Sequence, residues 1–318
     1  MIQVKIFESD TSSNLENKIN DFAQRNTVRN VQYTPTVTVS DFANTTTYHA
    51  MVMYDVQQTC TKPVKVGVTE RGDASIDTSW YNKIKNNEVQ GAILITKNIT
   101  DDFIARVYNL YKNNYKIIVH CTCTGWGSTI MERNVPDYES QLVKLKTLIE
   151  IGFPMNQCVL RIDPIFPTKN GLAKVQQVLE FAKKLNLIPA IRVRISIFDE
   201  YRHVKDRFRQ AGFAPMYGDN NIQPPADMLK YAKDELTNLA KKYNIKFETC
   251  AESYMHSDAF LQQGCISPYD LQLLQIPIDT NKINPQHRTG CKCLSCKTEL
   301  LSNKTPCPHG CLYCYWKN

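Results

Sequence analysis

Three observations predict an α/β protein: a whole or partial (β/α) barrel preceded by a small α+β module. Short β-branched runs alternate with amphipathic stretches from residue 62 onward, polar residues gather where those runs end, and eight of the twelve cysteines lie between Cys250 and Cys314. Regular β-α alternation argues a parallel sheet with helices outside. Six such strands, with a further one near the C-terminus, suit a full or partial barrel. A doubly wound open sheet competes, and periodicity alone does not separate the two.

In chain order, residues 1–58 read as a β-α-β-β accessory module. IQVKIF alternates, LENKINDFAQR has helical periodicity, and VQYTPTVTVS and YHAMVMYDV alternate again. The barrel body is expected over 62–285. Its strands are VKVGVTE, AILITKN, KIIVHCTCT, QCVLRIDPIF, AIRVRISIF and KFETCAES. Its helices are DDFIARVYNLYKNN, ESQLVKLKTLIEIG, GLAKVQQVLEFAKKLN and ADMLKYAKDELTNLAKKYN. Residues 286–318 form a cysteine-rich segment expected to close the barrel.

The 318 residues suffice for a sizeable core, and 42% apolar content is that of an ordinary globular protein. A net charge of +7 mildly favours an anionic partner but is too small to argue nucleic acid alone. No apolar run approaches the roughly 20 residues that span a bilayer. The start, MIQVKIFESD, lacks the apolar segment of a signal peptide. A cytoplasmic protein with no membrane partner and with reduced thiols is the expectation. Cys60, Cys121, Cys123 and Cys158 lie in or near apolar stretches and read as packing residues.

Thr69, Glu70, Arg71, Asp73, Thr96, Lys97, Thr122, Thr124, Arg161, Asp163, Ser196 and Glu252 cluster at strand ends. In a parallel barrel that end carries the active site. Along KIIVHCTCT, alternation puts Ile118, His120, Thr122 and Thr124 on one face, with Cys121 and Cys123 on the other. The threonines then look inward, and His120 sits lower as a hydrogen-bonded interior residue. TERGDAS (69–75) has the chemistry of a plain turn.

The terminal stretch CPHGCLYC places Cys307, Cys311 and Cys314 at spacings that leave a four-ligand metal site one thiol short. Zinc drawn from these, GCKCLSC (290–296), His287 and His309 is one reading, although neither triplet shows a paired knuckle. Iron–sulfur is the other, since thiolates are the normal ligands of such clusters. Three cysteines on a four-iron cluster leave one iron open to a substrate or cofactor.

CPHGCLYC resembles the cluster motif of the radical S-adenosylmethionine (SAM) superfamily. The resemblance implies that Cys307, Cys311 and Cys314 hold a [4Fe–4S] cluster, that its free iron chelates SAM, and that Tyr313 lies near the adenine. That family carries the motif after its first strand, whereas here it comes last. ILITKN, the stretch VHCTCTGWGSTIMERN and RIDPIFP resemble successive strands of the spore photoproduct lyase branch, so the chain looks like a permuted relative. A barrel whose termini are neighbours permits such a permutation.

Residues 62–318 also resemble the bacterial family called domain of unknown function 1848, through TERGDAS, ITKN, TCTGWG, RIDPI, ETCAE, QHRTGCKC and CPHGCLYCY. Cysteines at the positions of Cys250, Cys265, Cys291 and Cys293 recur in that family. The resemblance implies a second metal site there, another [4Fe–4S] cluster or a structural zinc, with Cys296 spare.

The radical SAM resemblance implies one-electron cleavage of SAM and hydrogen-atom abstraction, with an electron donor such as flavodoxin or ferredoxin. Lys97, Thr122, Thr124, Glu132, Arg161, Asp163, Ser196 and Glu252 join Tyr313 as the expected cofactor contacts. The plainer alternative for Arg161 and Asp163 is an ion pair with each other or with Glu252. YRHVKDRFRQ (201–210) reads as a solvated helix face before a nucleic-acid edge, yet nucleic acid, for repair or modification, is the first substrate class to test. The non-enzyme alternative is a zinc or iron–sulfur protein acting as a nucleic-acid or protein adaptor.

Overall fold

The computed structural model describes residues 2–23, 27–39, 44–55, 64–277, 290–301 and 307–316. Cys60 and His287 lie outside them. The chain divides into two compact units, Met1–Lys62 and Pro63–Asn318.

The first unit is the expected β-α-β-β. Strand β1 (Ile2–Ser9), helix α1 (Ser12–Ala23), β2 (Thr27–Val39) and β3 (Asn44–Asp55) give an antiparallel sheet of order β1-β3-β2. Pro35 sits in β2, an edge strand, where a missing N–H is tolerated.

In the second unit the six expected strands are β4 (Val66–Val68), β5 (Gly91–Thr96), β6 (Ile117–Thr122), β7 (Cys158–Ile165), β8 (Arg192–Ile197) and β9 (Phe247–Thr249). Two short ones join them, β10 (Phe260–Gln262) and β11 (Lys297–Glu299). All pair in parallel, in the order β10-β9-β8-β7-β6-β5-β4-β11. Among the described residues no ladder joins the edges β10 and β11, so the architecture is an eight-stranded parallel sheet with helices and not a demonstrated closed barrel.

The expected helices are α3 (Asp101–Lys112), α4 (Tyr138–Glu150), α5 (Lys169–Lys184) and α7 (Ala226–Tyr243); α2 (Ser79–Lys85), α6 (Arg202–Gln210) and α8 (Pro268–Leu273) complete the set. Local chemistry sets several boundaries. The side chains of Thr100, Asp137 and Thr168 accept from the first-turn N–H groups of Phe103, Ser140 and Gly171. At α8, Ser267 and Asp270 form a capping box with Pro268 at the first turn. Among the described residues no helix is long and apolar enough to cross a membrane.

The two sheet faces differ as alternation along β6 predicts. Ile117, Val119, Cys121 and Cys123 pack with Leu142, Leu145 and Val175 in the helix-covered core, together with Cys158. Ile118 instead joins Val66, Ile93, Val159, Leu271, Leu274 and Leu294, so that α8 plugs the inner face over the first halves of the strands. Above that apolar plug lies an ionic layer. Arg192 meets Glu248 at 3.2 Å and Asp270 at 2.8 Å, and Arg194 meets Glu248 at 2.8 Å. Above the layer the inner face opens into a cavity.

His120 sits buried in that layer, but neither ring nitrogen has a hydrogen-bond partner there, which corrects the hydrogen-bonded residue expected from sequence. Burial, then the positive charges of Arg194, Arg161 and Arg192, hold its pKa well below 6.5. Below pH 6.5 the unfolded chain therefore binds a proton that the folded one refuses. Stability falls as pH drops through that range, by about 1 kcal/mol per pH unit from this group averaged between pH 7 and 5. Urea melts between pH 7 and 5 are expected to show a slope shallower by that amount in His120→Gln than in the wild type.

Candidate metal centre

The cavity, about 690 Å³, lies at the C-terminal ends of the parallel strands and is lined by both cysteine sets. Cys307, Cys311 and Cys314 border it from the terminal segment, and Cys250, Cys265, Cys291 and Cys293 from the other side. Volumes of this order suit one or two small molecules. Cys296 is half-buried against the apolar plug, outside the lining, in keeping with a spare thiol.

The terminal motif is held by four long-range attachments. Asp73, in the segment after β4, accepts from His309 Nε2 at 2.9 Å, Thr96 Oγ1 at 2.6 Å, the Lys97 N–H at 2.6 Å and the Ser75 N–H at 2.8 Å. TERGDAS is thus part of the built site and not a plain turn. Burial disfavours a charged His309, but the hydrogen bond and charge of Asp73 outweigh it and raise the ring's pKa. Asn134 Nδ2 donates to the Pro308 carbonyl at 2.8 Å, and the Leu312 N–H donates to the Met131 carbonyl at 3.1 Å. Gly310, at φ 59°, supplies the left-handed turn between Cys307 and Cys311 at low cost.

The third attachment is the carboxylate of Glu132, which accepts from Lys97 Nζ at 2.8 Å, from Thr124 Oγ1 at 2.7 Å and from the Tyr313 hydroxyl. Lys97 Nζ also donates to the Tyr313 hydroxyl at 2.7 Å. Burial works against the Lys97 ammonium, yet the Glu132 carboxylate, with Cys311 adding to it, lifts its pKa above the ordinary value. The fourth is Arg207 of α6, whose guanidinium donates to the carbonyls of Leu312 at 3.0 Å, Trp316 at 3.2 Å and Cys314. His203 meets the Tyr315 carbonyl at 2.7 Å.

This changes the reading of the basic helix. Lys205 is buried against the carbonyls of Gly218 and Asn221, and Arg207 clamps the terminal segment. Only Arg202, Asp206, Arg209 and Gln210 are exposed, and Arg209 pairs with Asp206 and Asp219. One side of the helix braces the terminal segment, and the other carries the solvated face expected of it.

Of the residues singled out from sequence, Lys97, Thr122, Arg161, Asp163, Ser196 and Tyr313 line the cavity. Thr124 and Glu132 stand behind that lining, holding Lys97 and Tyr313. Glu252 also stands behind it, accepting from Ser196 Oγ at 2.8 Å, the Ile197 N–H at 3.2 Å and the Tyr254 hydroxyl. Arg161 pairs with Asp163 through Nε at 2.9 Å, the plainer alternative, but its buried Nη1 has no hydrogen-bond partner. His309 is turned to Asp73 and Asn134, which removes it from a zinc set. Sequence reasoning missed Arg207, Asn134 and the role of Asp73, whose partners lie far along the chain. Trp80 is core, donating to the Ala74 carbonyl, whereas Trp316 borders the cavity under Arg71.

The cysteine sets differ electrostatically. Burial pushes the Cys311 thiol up to about 12 and raises Cys307 as well, so loading a metal there must displace thiol protons. In the other set the thiols share hydrogen bonds, which favour the thiolate at Cys293, through Cys250 and then Cys265, and disfavour it at Cys250. The thiol groups of Cys250, Cys291 and Cys293 all lie within 4.8 Å of one another, a grouping able to hold a metal ion.

The fold and site define an α/β protein with a parallel sheet and, at its strand ends, a cavity bordered by cysteines, three of which are grouped closely enough to hold a metal ion. The family described as "domain of unknown function (DUF1848)" matches residues 63–316, and the chain belongs to that family. No curated protein matches the chain.

Proposed function

We propose that the protein is a radical SAM enzyme whose barrel-type scaffold is permuted, so that the cluster ligands Cys307, Cys311 and Cys314 arrive last in the chain. The observation that carries this reading is that all three border one cavity beside Lys97 and Tyr313, while the ring nitrogens of His309 are engaged by Asp73 and Asn134. That leaves three cysteine side chains bordering a space of about 690 Å³, large enough for a cofactor and a substrate. A [4Fe–4S] cluster bound there would supply the electron that cleaves SAM and yields a 5′-deoxyadenosyl radical.

The chain's own residues bind and orient. Arg161 offers its unpartnered Nη1 to a carboxylate or phosphate, with Asp163 fixing the rest of the fork. Lys97 keeps a positive charge beside Cys311, and Thr122 and Ser196 present hydroxyls from the ends of β6 and β8, on either side of β7. Glu132, Thr124 and Glu252 position these groups from behind. A substrate enters as a small molecule or as one projecting unit of a larger one, an extruded nucleotide included.

The test is anaerobic incubation with dithionite and SAM, followed by chromatography of the products. Formation of 5′-deoxyadenosine is expected with the wild type and absent in the Cys307→Ala, Cys311→Ala, Cys314→Ala triple variant. Equal background in both would return the protein to the adaptor reading.

A further inference from the structure

The second cysteine set sits where the sheet lacks a ladder. Cys250 directly follows β9 and Cys265 lies just past β10, at one edge of the sheet. Cys291 and Cys293 come just before β11, the opposite edge. The two sides nevertheless touch. The Cys265 N–H donates to Cys293 Sγ at 3.2 Å, and the Leu294 N–H donates to the Ile266 carbonyl at 3.3 Å. Gly264 makes this approach possible, since a Cβ there would stand 2.5 Å from the Lys292 carbonyl oxygen and 2.7 Å from the Cys293 nitrogen. Arg194 Nη1 reaches the Cys265 carbonyl at 3.3 Å, bringing positive charge beside the thiols.

Sulfur spacing separates the two metal chemistries. Zinc–thiolate bonds of about 2.3 Å in a tetrahedron place neighbouring sulfurs about 3.8 Å apart. The sulfurs of Cys250, Cys291 and Cys293 all lie within 4.8 Å of one another; Cys265 stands outside that group of three but reaches it, with its Sγ 3.8 Å from Cys250 Sγ and its N–H 3.2 Å from Cys293 Sγ. On a four-iron cluster each thiolate binds a different iron, which sets the sulfurs further apart. Cys307, Cys311 and Cys314 do not form a group within that 4.8 Å limit, so the tight spacing belongs to the second set.

We propose that Cys250, Cys265, Cys291 and Cys293 bind one tetrahedral divalent ion of the zinc class, which clasps the two edges of the sheet where no backbone ladder joins them. Loading leaves all four cysteines as thiolates and releases to solvent the protons they still carry, with no change of oxidation state. The clasp is independent of SAM chemistry at the other cysteine set.

The full-length Cys307→Ala, Cys311→Ala, Cys314→Ala variant isolates this site. Metal and acid-labile sulfide analysis is expected to find one zinc per chain and no sulfide. Cobalt substitution should give the visible bands of a tetrahedral four-thiolate complex, and adding Cys265→Ser should shift them toward three-sulfur ligation. Chelation should speed hydrogen exchange at β10 and β11 together, by more than tenfold. About four irons with matching sulfide would overturn the proposal, as would unchanged exchange at both edges after the ion is stripped.

Discussion

Glu132→Ala is expected to lower the stability of the protein by about 3–5 kcal/mol, the cost typical of removing one partner from a buried ion pair. The side chain of Glu132 is 2% exposed and that of Lys97 is 19% exposed. Three donors converge on this one carboxylate: the Lys97 ammonium, the Thr124 hydroxyl and the Tyr313 hydroxyl. Alanine leaves the ammonium without its counter-charge and leaves the Tyr313 hydroxyl with Lys97 alone, so the terminal motif is held more weakly to the end of β5 and to the loop after β6. Urea melts should show the loss, and iron content should fall with it. Glu132→Gln keeps the shape but not the charge, and should fall between the two proteins. A Glu132→Ala protein as stable as the wild type would show that the carboxylate does not anchor the motif.

Arg207→Ala acts more locally. One guanidinium donates to the carbonyls of Leu312, Cys314 and Trp316, and hydrogen bonds to a charged group are worth about 1.5–3 kcal/mol each, with incomplete additivity. Losing about 3 kcal/mol from the closed state of residues 307–316 corresponds to an opening roughly 100-fold more frequent. Hydrogen exchange should rise by that factor in the terminal segment while melting changes little, because Val204 and Phe208 still hold α6 in the core. Lysine is not an adequate substitute, since a single ammonium cannot reproduce the planar fork. Exchange that rises everywhere equally would mean Arg207 supports the whole fold and not the motif.

These two residues also mark the limit of what the sequence reveals. The alternation in KIIVHCTCT correctly separated Cys121 and Cys123 from Ile118, His120 and Thr122, because a two-residue period is a property of the strand itself. The strands β4 to β9 were legible from the β-branched runs that contain them, although β4 and β9 are themselves only three residues long, and the four longer helices from their own period. β10 is three residues long and carries no period, and α8 is announced only by its Ser267–Asp270 cap. The attachments of the terminal motif join Asp73 to His309, Glu132 to Tyr313 and Arg207 to Cys314, and pairings over such separations leave no local pattern. A strand-end aspartate looks like a turn residue until its four donors are in place. A basic helix looks solvated until three of its cations and imidazoles are found on backbone carbonyls.

The SAM reading turns on whether the iron centre and SAM touch. The direct measurement is the electron paramagnetic resonance spectrum of the anaerobically purified, reduced wild-type protein, recorded with and without SAM. A reduced-cluster signal that SAM reshapes, and that the Cys307→Ala, Cys311→Ala, Cys314→Ala variant lacks, is the predicted result. A cluster signal identical in the presence and absence of SAM would contradict the account.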